Sequence, residues 1–388
     1  MLNKLKRFDW SIVLLLLIFM GISTLLIYSA TVSVPKYTNL NLHIRNIQFY
    51  ILGLALFFLI SFVDYRKVMK LSWYIYGVGI LLLLGLFKWG VKLEGAVGWY
   101  QLPFFNFQPA EVMKFALILI IAWYLKQRNG EPLRLVQDVF PISILVFVPF
   151  VLVLMQPDLG NAVIYLVIML GMLWIGNIRL SHVLIGLTIV TVVASVSLFF
   201  YKQYHEEIED YLKAQNKGHW VQRIDTFLYP EEVDDDKSFH LNRAKIAIGS
   251  GRLLGDGYLQ GDSIHNNLVP VAYTDTIFAV VAEEFGFVGG ATLLMLLFTF
   301  LYRMILIALQ SEDLRGAYIV IGIVSMYVFQ IFQNIGMWFG LLPVTGITLP
   351  FISYGGTSLL INMISIAIVM SVRLHQEEEE EEELPALG

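Results

Sequence analysis

Apolar residues occur in this chain in long, nearly uninterrupted blocks, and this pattern limits the possible folds more than any other feature. The blocks have the length of roughly 17 to 25 residues that an α-helix needs to cross a bilayer. There are ten of them, at 10–30, 46–64, 71–88, 110–125, 139–156, 161–177, 181–201, 275–301, 315–339 and 357–373. Transmembrane barrel strands alternate polar and apolar residues, and these blocks do not. The sequence therefore predicts an all-α polytopic membrane protein with ten transmembrane helices.

The composition agrees with this fold class. Hydrophobic residues make up 57% of the chain and charged residues 15%, with a mean hydropathy of +0.69. The chain has no cysteine, which excludes disulfides, thiolate metal sites and cysteine nucleophiles. Seven consecutive glutamates at 377–383 carry more negative charge than the net charge of the whole chain, which is −5. We expect residues 376–388 to be a disordered acidic cytoplasmic tail or a segment added in cloning.

The orientation in the membrane follows from the basic residues in the short joints between blocks. With ten spans they fall on one side: Lys4, Lys6, Arg7, Arg66, Lys67, Lys70, Lys126, Arg128, Arg134, Arg179, Arg303, Arg315 and Arg373. This side is predicted to be cytoplasmic and to hold both termini. The first block has no small-residue cleavage site, so it is interpreted as a retained helix. Residues 1–375 then form one membrane domain, with a large extracytoplasmic loop at about 202–274 between helices 7 and 8.

The outward joint at 89–110 leads into a charged pair. Its sequence "GAVGWYQLPFFNFQPAEVMK" is aromatic but broken by Gly and Pro, which indicates a loop at the membrane interface where Trp99 and Tyr100 are favourable. Glu111 and Lys114 are three residues apart and share one helix face. They are either a self-neutralising pair at the interface, with Lys114 snorkelling, or part of a functional cavity.

Two further outward segments carry candidate polar groups. In "MQPDLGNAV", Asp158 is at a tight turn, where it can cap the helix that starts near Gly160 and Asn161. "HLNRAKIAIGSGRLLGDGYLQGD" combines basic residues with repeated glycines, which can let backbone amides approach a phosphate. A flexible surface loop is the more common explanation of such glycines.

Asp275 is the first residue of the eighth block, in the stretch "VPVAYTDTIFAVVAEEFGFVGG". At about 100° per residue, its helix face carries the small residues at 279, 282, 286 and 289, so this face is predicted to point into the bundle. Asp275 can line an outward cavity as a general base, or it can cap the helix, and local rules favour the cap. Glu283 and Glu284 are expected to pair with Arg or Lys on a neighbouring span.

The last joint, "NIGMWFGLLPVTGITLPFISYGGTSLL", is almost wholly apolar, yet its prolines and glycines forbid a continuous helix. Backbone of this kind is tolerated at membrane depth only where protein or a cavity covers it. The segment at about 341–356 is therefore predicted to be a re-entrant loop.

Five segments together carry a family resemblance. "QPAEVMK", "QPDLG", "KIAIGSG", "YTDTIFAVVAEEFGFVGG" and "LLPVTGITLPFISYGGTS" occur in this order on a chain with ten predicted spans. The chain resembles the SEDS family (shape, elongation, division and sporulation) of bacterial cell-wall polymerases over residues 10 to 375. Within the family, "KIAIGSGRLLGDGYLQGD" is more similar to the elongation members (RodA) than to the division members (FtsW).

The resemblance implies a peptidoglycan glycosyltransferase in the bacterial cytoplasmic membrane that polymerises lipid II at the outer face during elongation. It implies that Asp275 is the essential aspartate, with Thr274 beside it, and that Glu111, Lys114 and Asp158 line a cavity. Further predicted cavity or substrate-binding residues are Trp99, Gln108 and Ser353.

Chemistry adds cationic candidates for the departing diphosphate: Lys114, Arg223, Arg243 and Lys245. A divalent cation, Mg²⁺ or Mn²⁺, can assist them, and no organic cofactor is expected. The implied partners are a class B penicillin-binding protein (a transpeptidase) and the elongation machinery, with no nucleic acid.

The chain departs from the family pattern at two places. Gly98 and the pair Arg243–Ala244 stand where elongation members often have Arg and Gln, so these positions cannot be carried over as substrate contacts. Arg243 is a candidate to supply the charge that Gly98 lacks. Two other functions are a flippase or transporter of the lipid-linked precursor, which also uses broken helices and a membrane cavity, and a scaffold that only anchors a partner enzyme.

Overall fold

The computed structural model describes residues 6–93, 96–103, 105–214, 221, 225 and 235–375. In this part of the chain, ten long helices form the bundle, one for each predicted block. They are α1 (Trp10–Val32), α2 (Leu42–Ser61), α3 (Ser72–Trp89), α4 (Pro109–Lys126), α5 (Phe140–Leu154), α6 (Leu159–Ile175), α7 (Leu180–Gln203), α8 (Ile277–Leu309), α9 (Leu314–Phe339) and α10 (Gly356–Leu374).

Eight helices in the described part of the chain are long and apolar enough to cross a membrane, α5 together with the π-helical turn Leu135–Val139 before it. The other two helices are α6, which has 17 residues, and α4, which contains three charged residues, Glu111, Lys114 and Lys126. The multi-pass membrane architecture is confirmed, while the number of ten spans stays a prediction.

Helix α4 lies at the centre of the bundle, where it packs against α3, α6 and α9. Every side chain from Met113 to Ala122 is buried. The helices approach closely at small residues, as expected for packing in a membrane. A Cβ at Gly322 of α9 would lie 2.8 Å from the sulfur of Met172 and 2.9 Å from Ile118. Helix α7 is peripheral, and most of its side chains are exposed.

A small antiparallel sheet precedes α4. Its strands are β1 (Val91–Leu93), β2 (Ala96–Gln101) and β3 (Asn106–Phe107), in the order β1-β2-β3. Val91 lies opposite Trp99, and Tyr100 lies opposite Phe107. The prediction of an irregular interfacial loop missed these strands, which are short and interrupted by Gly and Pro. The sheet places Gln108 at the start of α4.

Five further helices lie outside this bundle among the described residues: Pro35–Thr38, Tyr65–Lys70, His205–Ala214, Asp235–Ser250 and Asp262–His265. Asp235–Ser250, called the loop helix below, belongs to the long segment between α7 and α8. It packs against α8 and α9.

Helix α8 is interrupted at Gly286, whose φ of 63° and ψ of −159° are not helical. The glycine-rich segment 251–257 fills the interruption. The amides of Asp256 and Gly257 donate to the carbonyls of Glu283 and Glu284, at 2.9 and 3.0 Å. These glycines therefore allow close contact between two backbones, and the predicted phosphate-binding role has no support in this geometry.

Glu283 and Glu284 also differ from their predicted ion pairing. The Glu283 carboxylate accepts hydrogen bonds from the amides of Ser263 (2.7 Å) and Ile264 (3.1 Å). Glu284 accepts from the Ser29 hydroxyl and lies 3.6 Å from His265 Nε2. Amide, hydroxyl and imidazole groups thus take the place expected for Arg or Lys. Through these contacts, both carboxylates attach the segment before α8 to the bundle.

The segment 341–355 runs without helix between α9 and α10, and Ile347, Leu349 and Phe351 within it are buried. Its backbone carbonyls accept hydrogen bonds from neighbouring helices. The Tyr50 hydroxyl donates to Phe351, and the Ser23 hydroxyl donates to Ile352 at 2.7 Å. Protein thus covers this open backbone, as irregular structure at membrane depth requires.

Candidate functional site

A cavity of about 1110 Å³ opens beside the start of α8. Its walls come from the small sheet, the segment 341–355, the loop helix and the ends of α2, α4, α6 and α9. Polar and aromatic residues that line it include Arg45, Trp99, Gln108, Glu111, Asp158, Asn161, Lys245, Thr274, Asp275, Thr276 and Trp338. The outward motifs, distant in sequence, therefore meet around one space.

Asp275 lies on the cavity wall, two residues before α8 begins at Ile277. Its carboxylate is within hydrogen-bond distance of the hydroxyls of Thr274 (3.0 Å) and Thr276 (3.4 Å). Burial raises the pKa of Asp275 above its ordinary value, and these hydroxyls oppose the rise. The N-cap position of α8 belongs to Thr276, so the cap that local rules favoured for Asp275 is wrong. The carboxylate is instead available to a molecule in the cavity.

Asp158 both caps a helix and lines the cavity. As the N-cap of α6, it accepts a hydrogen bond from the Asn161 amide at 3.1 Å. Its Oδ2 atom accepts from the Asn161 side chain (2.8 Å) and from Gln108 Nε2 (3.1 Å). The two interpretations of the "QPDLG" turn are therefore compatible, since one carboxylate oxygen contacts the helix backbone and the other faces polar groups of the site.

The Glu111 and Lys114 side chains form an ion pair of 2.8 Å, and both are almost fully buried. Glu111 lines the cavity, and its Oε2 atom has no hydrogen-bond partner among the described residues. Lys114 lies behind it in the bundle, with 1% of its surface exposed. Snorkelling of Lys114 to the interface is therefore wrong, because the ammonium is enclosed by neighbouring helices.

Lysine and arginine reach the cavity from two walls. Lys245 reaches it from the loop helix, and its ammonium lies close to Gly340. Arg45 reaches it from the first turn of α2, next to Tyr354. Sequence analysis missed Arg45, although a signal was present. An arginine at the outward end of a predicted span opposes the positive-inside pattern, and ionisable residues in spans are usually functional.

The other predicted substrate-binding residues lie elsewhere. The Ser353 hydroxyl is buried and accepts a hydrogen bond from the Leu349 amide at 2.8 Å, so it braces the segment 341–355. Arg243 is partly buried on the loop helix, outside the set of described residues that line the cavity. From this helix, Lys245 lines the cavity. Arg223 and the acidic tail at 376–388 lie outside the described residues.

Gly98, where an arginine was expected by resemblance, lies beside Asp158. A Cβ at this position would be 3.9 Å from Gln108 Nε2 and 4.0 Å from Asp158 Oδ2. A long cationic side chain here would therefore start next to the Asp158 carboxylate. Among the described contacts, this carboxylate meets amide donors, so the positive charge of the cavity comes from its other walls.

The described residues contain no group of three His, Asp or Glu side chains that could hold a metal ion. Mg²⁺ is often bound by only one or two carboxylates together with phosphate oxygens of a substrate. Asp275 or Asp158 could contribute one such ligand, but the described residues alone do not form a cage.

Comparison with known proteins identifies the relatives of this chain. A family model described as "Cell cycle protein", covering FtsW, RodA and SpoVE, matches residues 9–378. The peptidoglycan glycosyltransferase MrdB of Escherichia coli is 32% identical over 369 residues, which is 95% of this chain and 94% of that protein. Relatives named FtsW match at similar identity, for example 32% in Aliivibrio salmonicida.

Two solved structures share the fold. A chain from a study titled "Structural coordination of polymerization and crosslinking by a peptidoglycan synthase complex" superimposes with a TM-score of 0.78, at 27% identity, over 96% of this chain and 99% of that one. The crystal structure of the rod shape determining protein RodA from Thermus thermophilus gives a TM-score of 0.68, at 26% identity, over 96% of this chain and 98% of that one.

Proposed function

Because the chain belongs to the SEDS family, we propose that it is a peptidoglycan glycosyltransferase of the bacterial cytoplasmic membrane that polymerises lipid II into glycan strands. The observation that carries the proposal is the position of Asp275. Its carboxylate lies on the wall of a large cavity that also carries the cations Arg45 and Lys245. A base and a site for an anionic leaving group are the two elements that this reaction needs.

In the proposed reaction, a sugar hydroxyl attacks the anomeric carbon of a second, lipid-linked sugar. Asp275 accepts the hydroxyl proton as the glycosidic bond forms. The bond between the anomeric carbon and the diphosphate breaks, and its electron pair leaves with the polyprenyl diphosphate. One displacement inverts the anomeric centre, and one carboxylate suffices because diphosphate leaves without a strong acid.

The cations on other walls of the cavity are proposed to stabilise the departing diphosphate. Arg45 offers several N–H donors in a planar fork that matches phosphate oxygens, and Lys245 offers a mobile point charge. Glu111 and Asp158 are acidic, so they are better suited to hydroxyl or amide groups of the sugar and peptide than to phosphate. Trp99 adds an aromatic face for the sugar.

The test is polymerisation by the purified chain in detergent, with purified lipid II as the only substrate. We expect glycan strands from the wild type and none from Asp275→Asn, since asparagine keeps the shape but cannot accept the proton. Asp262→Asn is the matched control, because Asp262 is exposed on a short helix before α8. Strands made by folded Asp275→Asn would refute the assignment of the base.

The same experiment separates an enzyme from a flippase or transporter, because detergent solution has only one compartment. The interruption in α8 resembles the broken helices of transporters. Here, however, the carbonyls of Glu283 and Glu284 accept hydrogen bonds from the loop amides of Asp256 and Gly257. They are thus occupied by protein and not directed at a transported ion.

Two finer points belong to the proposal. An elongation role, as opposed to division, is supported by the similarity of the segment "KIAIGSGRLLGDGYLQGD" to elongation members and by the RodA structure. A class B penicillin-binding protein is proposed as the partner, because a similar chain belongs to a complex that joins polymerisation to crosslinking. Co-purification of the two proteins from membranes tests the partner.

A further inference from the structure

The backbone carbonyl of Asp275 receives two side-chain hydrogen bonds from α9. The Asn334 amide donates to it at 2.7 Å, and the Trp338 indole N–H donates to it at 2.8 Å. The donors are four residues apart, so they lie on one face of the helix. We propose that Asn334 and Trp338 are positioning residues, which fix the main chain at Asp275 so that its carboxylate faces the cavity. The proposal rests on the function given above, in which Asp275 is the base.

The main chain at Asp275 needs such support because α8 does not hold it. The first turn of this helix closes on Thr276, whose carbonyl accepts from the Ala279 amide at 2.9 Å. The residues before it form irregular turns, and Val271 there has a φ of 52°. The Asp275 carbonyl thus lies just outside the helical hydrogen-bond ladder, and α9 supplies its donors.

Asn334 also links Asp275 to another wall of the cavity. Its amide nitrogen donates to the Ile347 carbonyl at 2.7 Å as well. Ile347 follows Gly346, where a Cβ would lie 3.9 Å from Asp275 Oδ2. One buried side chain therefore sets the distance between the base and the segment 341–355. Both of its bonds use the amide as a donor, so a carboxylate at this position could not replace it.

Trp338 is held in place by packing as well as by its hydrogen bond. It is buried, and it clusters with Met337 and with Ala244 of the loop helix. Its indole also lines the cavity. Trp338→Phe should therefore leave an aromatic ring in the same cluster while it removes the N–H donor. This makes it the milder of the two informative substitutions.

The experiment compares steady-state polymerisation of lipid II by Asn334→Ala, Trp338→Phe, Asp275→Asn and wild type. Displacing a catalytic group by about 1 Å can lower a rate about 100-fold. We expect kcat to fall about 10- to 100-fold in each positioning variant, with KM for lipid II changed by no more than about twofold. Phe332→Leu, on the exposed face of α9, is the matched control and should behave as wild type.

The acidic limb of the pH profile separates positioning from a loss of folded protein. A displaced carboxylate has different neighbours, so the limb should move in Asn334→Ala, whereas partial unfolding would only reduce the amplitude. If Asn334→Ala does not fold, the activity of Trp338→Phe alone tests the positioning proposal. Wild-type kcat in the folded variants, with Asp275→Asn inactive, would overturn the positioning proposal only. Activity in Asp275→Asn would overturn the assignment of the base, and the positioning role with it.

Discussion

The Glu111 carboxylate and the Lys114 ammonium lie 2.8 Å apart at the end of α4 that faces the cavity. Both groups are almost fully buried, and of the two only Glu111 lines the cavity. A pair of this kind contributes little net stability, because desolvation offsets the attraction. Breaking it is costly, however, since one charge is left buried without a partner. We therefore expect the pair to serve the site beside it more than the stability of the fold.

Substitutions at this pair should therefore separate stability from activity. We expect Lys114→Met to destabilise the protein by about 3–5 kcal/mol, because Glu111 would keep a buried charge without a counterion. The double variant Glu111→Gln/Lys114→Met should recover most of this stability and still fail to polymerise lipid II. Thermal unfolding in detergent measures the change in stability, and polymerisation of lipid II measures the change in activity.

A second ion pair provides the control. Arg128 and Asp138 lie 2.7 Å apart, outside the cavity. Their neutral replacement, Arg128→Gln/Asp138→Asn, should leave polymerisation unchanged. If the neutral pair at 111 and 114 also polymerised normally, the functional interpretation of Glu111 and Lys114 would be refuted.

Asp158 allows its capping role to be separated from its charge. Asparagine caps helices about as well as aspartate, whereas alanine loses about 1 kcal/mol. Asp158→Asn should therefore unfold at nearly the wild-type temperature, and Asp158→Ala should unfold earlier. If the charge acts in the cavity, both variants should lose about tenfold or more in kcat/KM, equivalent to about 1.4 kcal/mol. Full activity in Asp158→Asn would show that Asp158 acts only as a helix cap and that its charge has no role in the cavity.

The raised pKa of Asp275 predicts a pH dependence. The base must be ionised to accept a proton, so activity is lost as the pH falls through its pKa. Because burial raises this pKa, the acidic limb of kcat/KM should lie above the ordinary aspartate value of about 3.9. Thr274→Val removes a hydroxyl that favours the anion. It should therefore move the limb to still higher pH.

Thr274→Ser and Thr299→Val serve as controls for this shift. Serine retains the hydroxyl, and Thr299 is exposed on α8, where it bonds only to the Met295 carbonyl of its own helix among the described contacts. Neither should move the limb. A limb in Thr274→Val that coincided with the wild type would show that this hydroxyl does not tune the base.

The helices were predictable because each depends on local information. A block of apolar residues sets its own length, so all ten helices were found, with limits close to the observed ones except for α8, which continues past the predicted end at 301 to Leu309. Charges within such blocks or in the turns between them were equally informative, and Glu111, Asp158 and Asp275 do line one cavity. Arg45 was missed although its own position carried a signal, because outward cations were sought only in the long loop at 202–274 and beside Glu111.

What the sequence did not predict depends on contacts between distant residues. Glu284 binds the hydroxyl of Ser29, which precedes it by 255 residues, and no local pattern indicates such a pair. The role of Ser353 follows from a hydrogen bond inside an irregular segment. The glycine-rich segment after Gly249 was ambiguous for the same reason, since its purpose becomes visible only against the interruption in α8.

This interruption gives a final prediction, on stability. Gly255 has a φ of +79°, and a Cβ there would overlap the Glu284 carbonyl group. The contact is with backbone, which cannot rotate away. Gly255→Ala should therefore destabilise the protein by about 2–4 kcal/mol, through strain and through loss of the hydrogen bonds between the loop and α8. Thermal unfolding in detergent measures the change.

Gly249→Ala is the matched control, six residues earlier. Gly249 lies within the loop helix, is exposed, and a Cβ there would meet nothing within 4 Å. Alanine is favoured over glycine in a helix by up to about 1 kcal/mol, so this variant should be slightly more stable than the wild type. Opposite signs for two identical substitutions would follow from the packing of 251–257 against α8. A Gly255→Ala protein as stable as Gly249→Ala would show that the loop does not occupy the interruption.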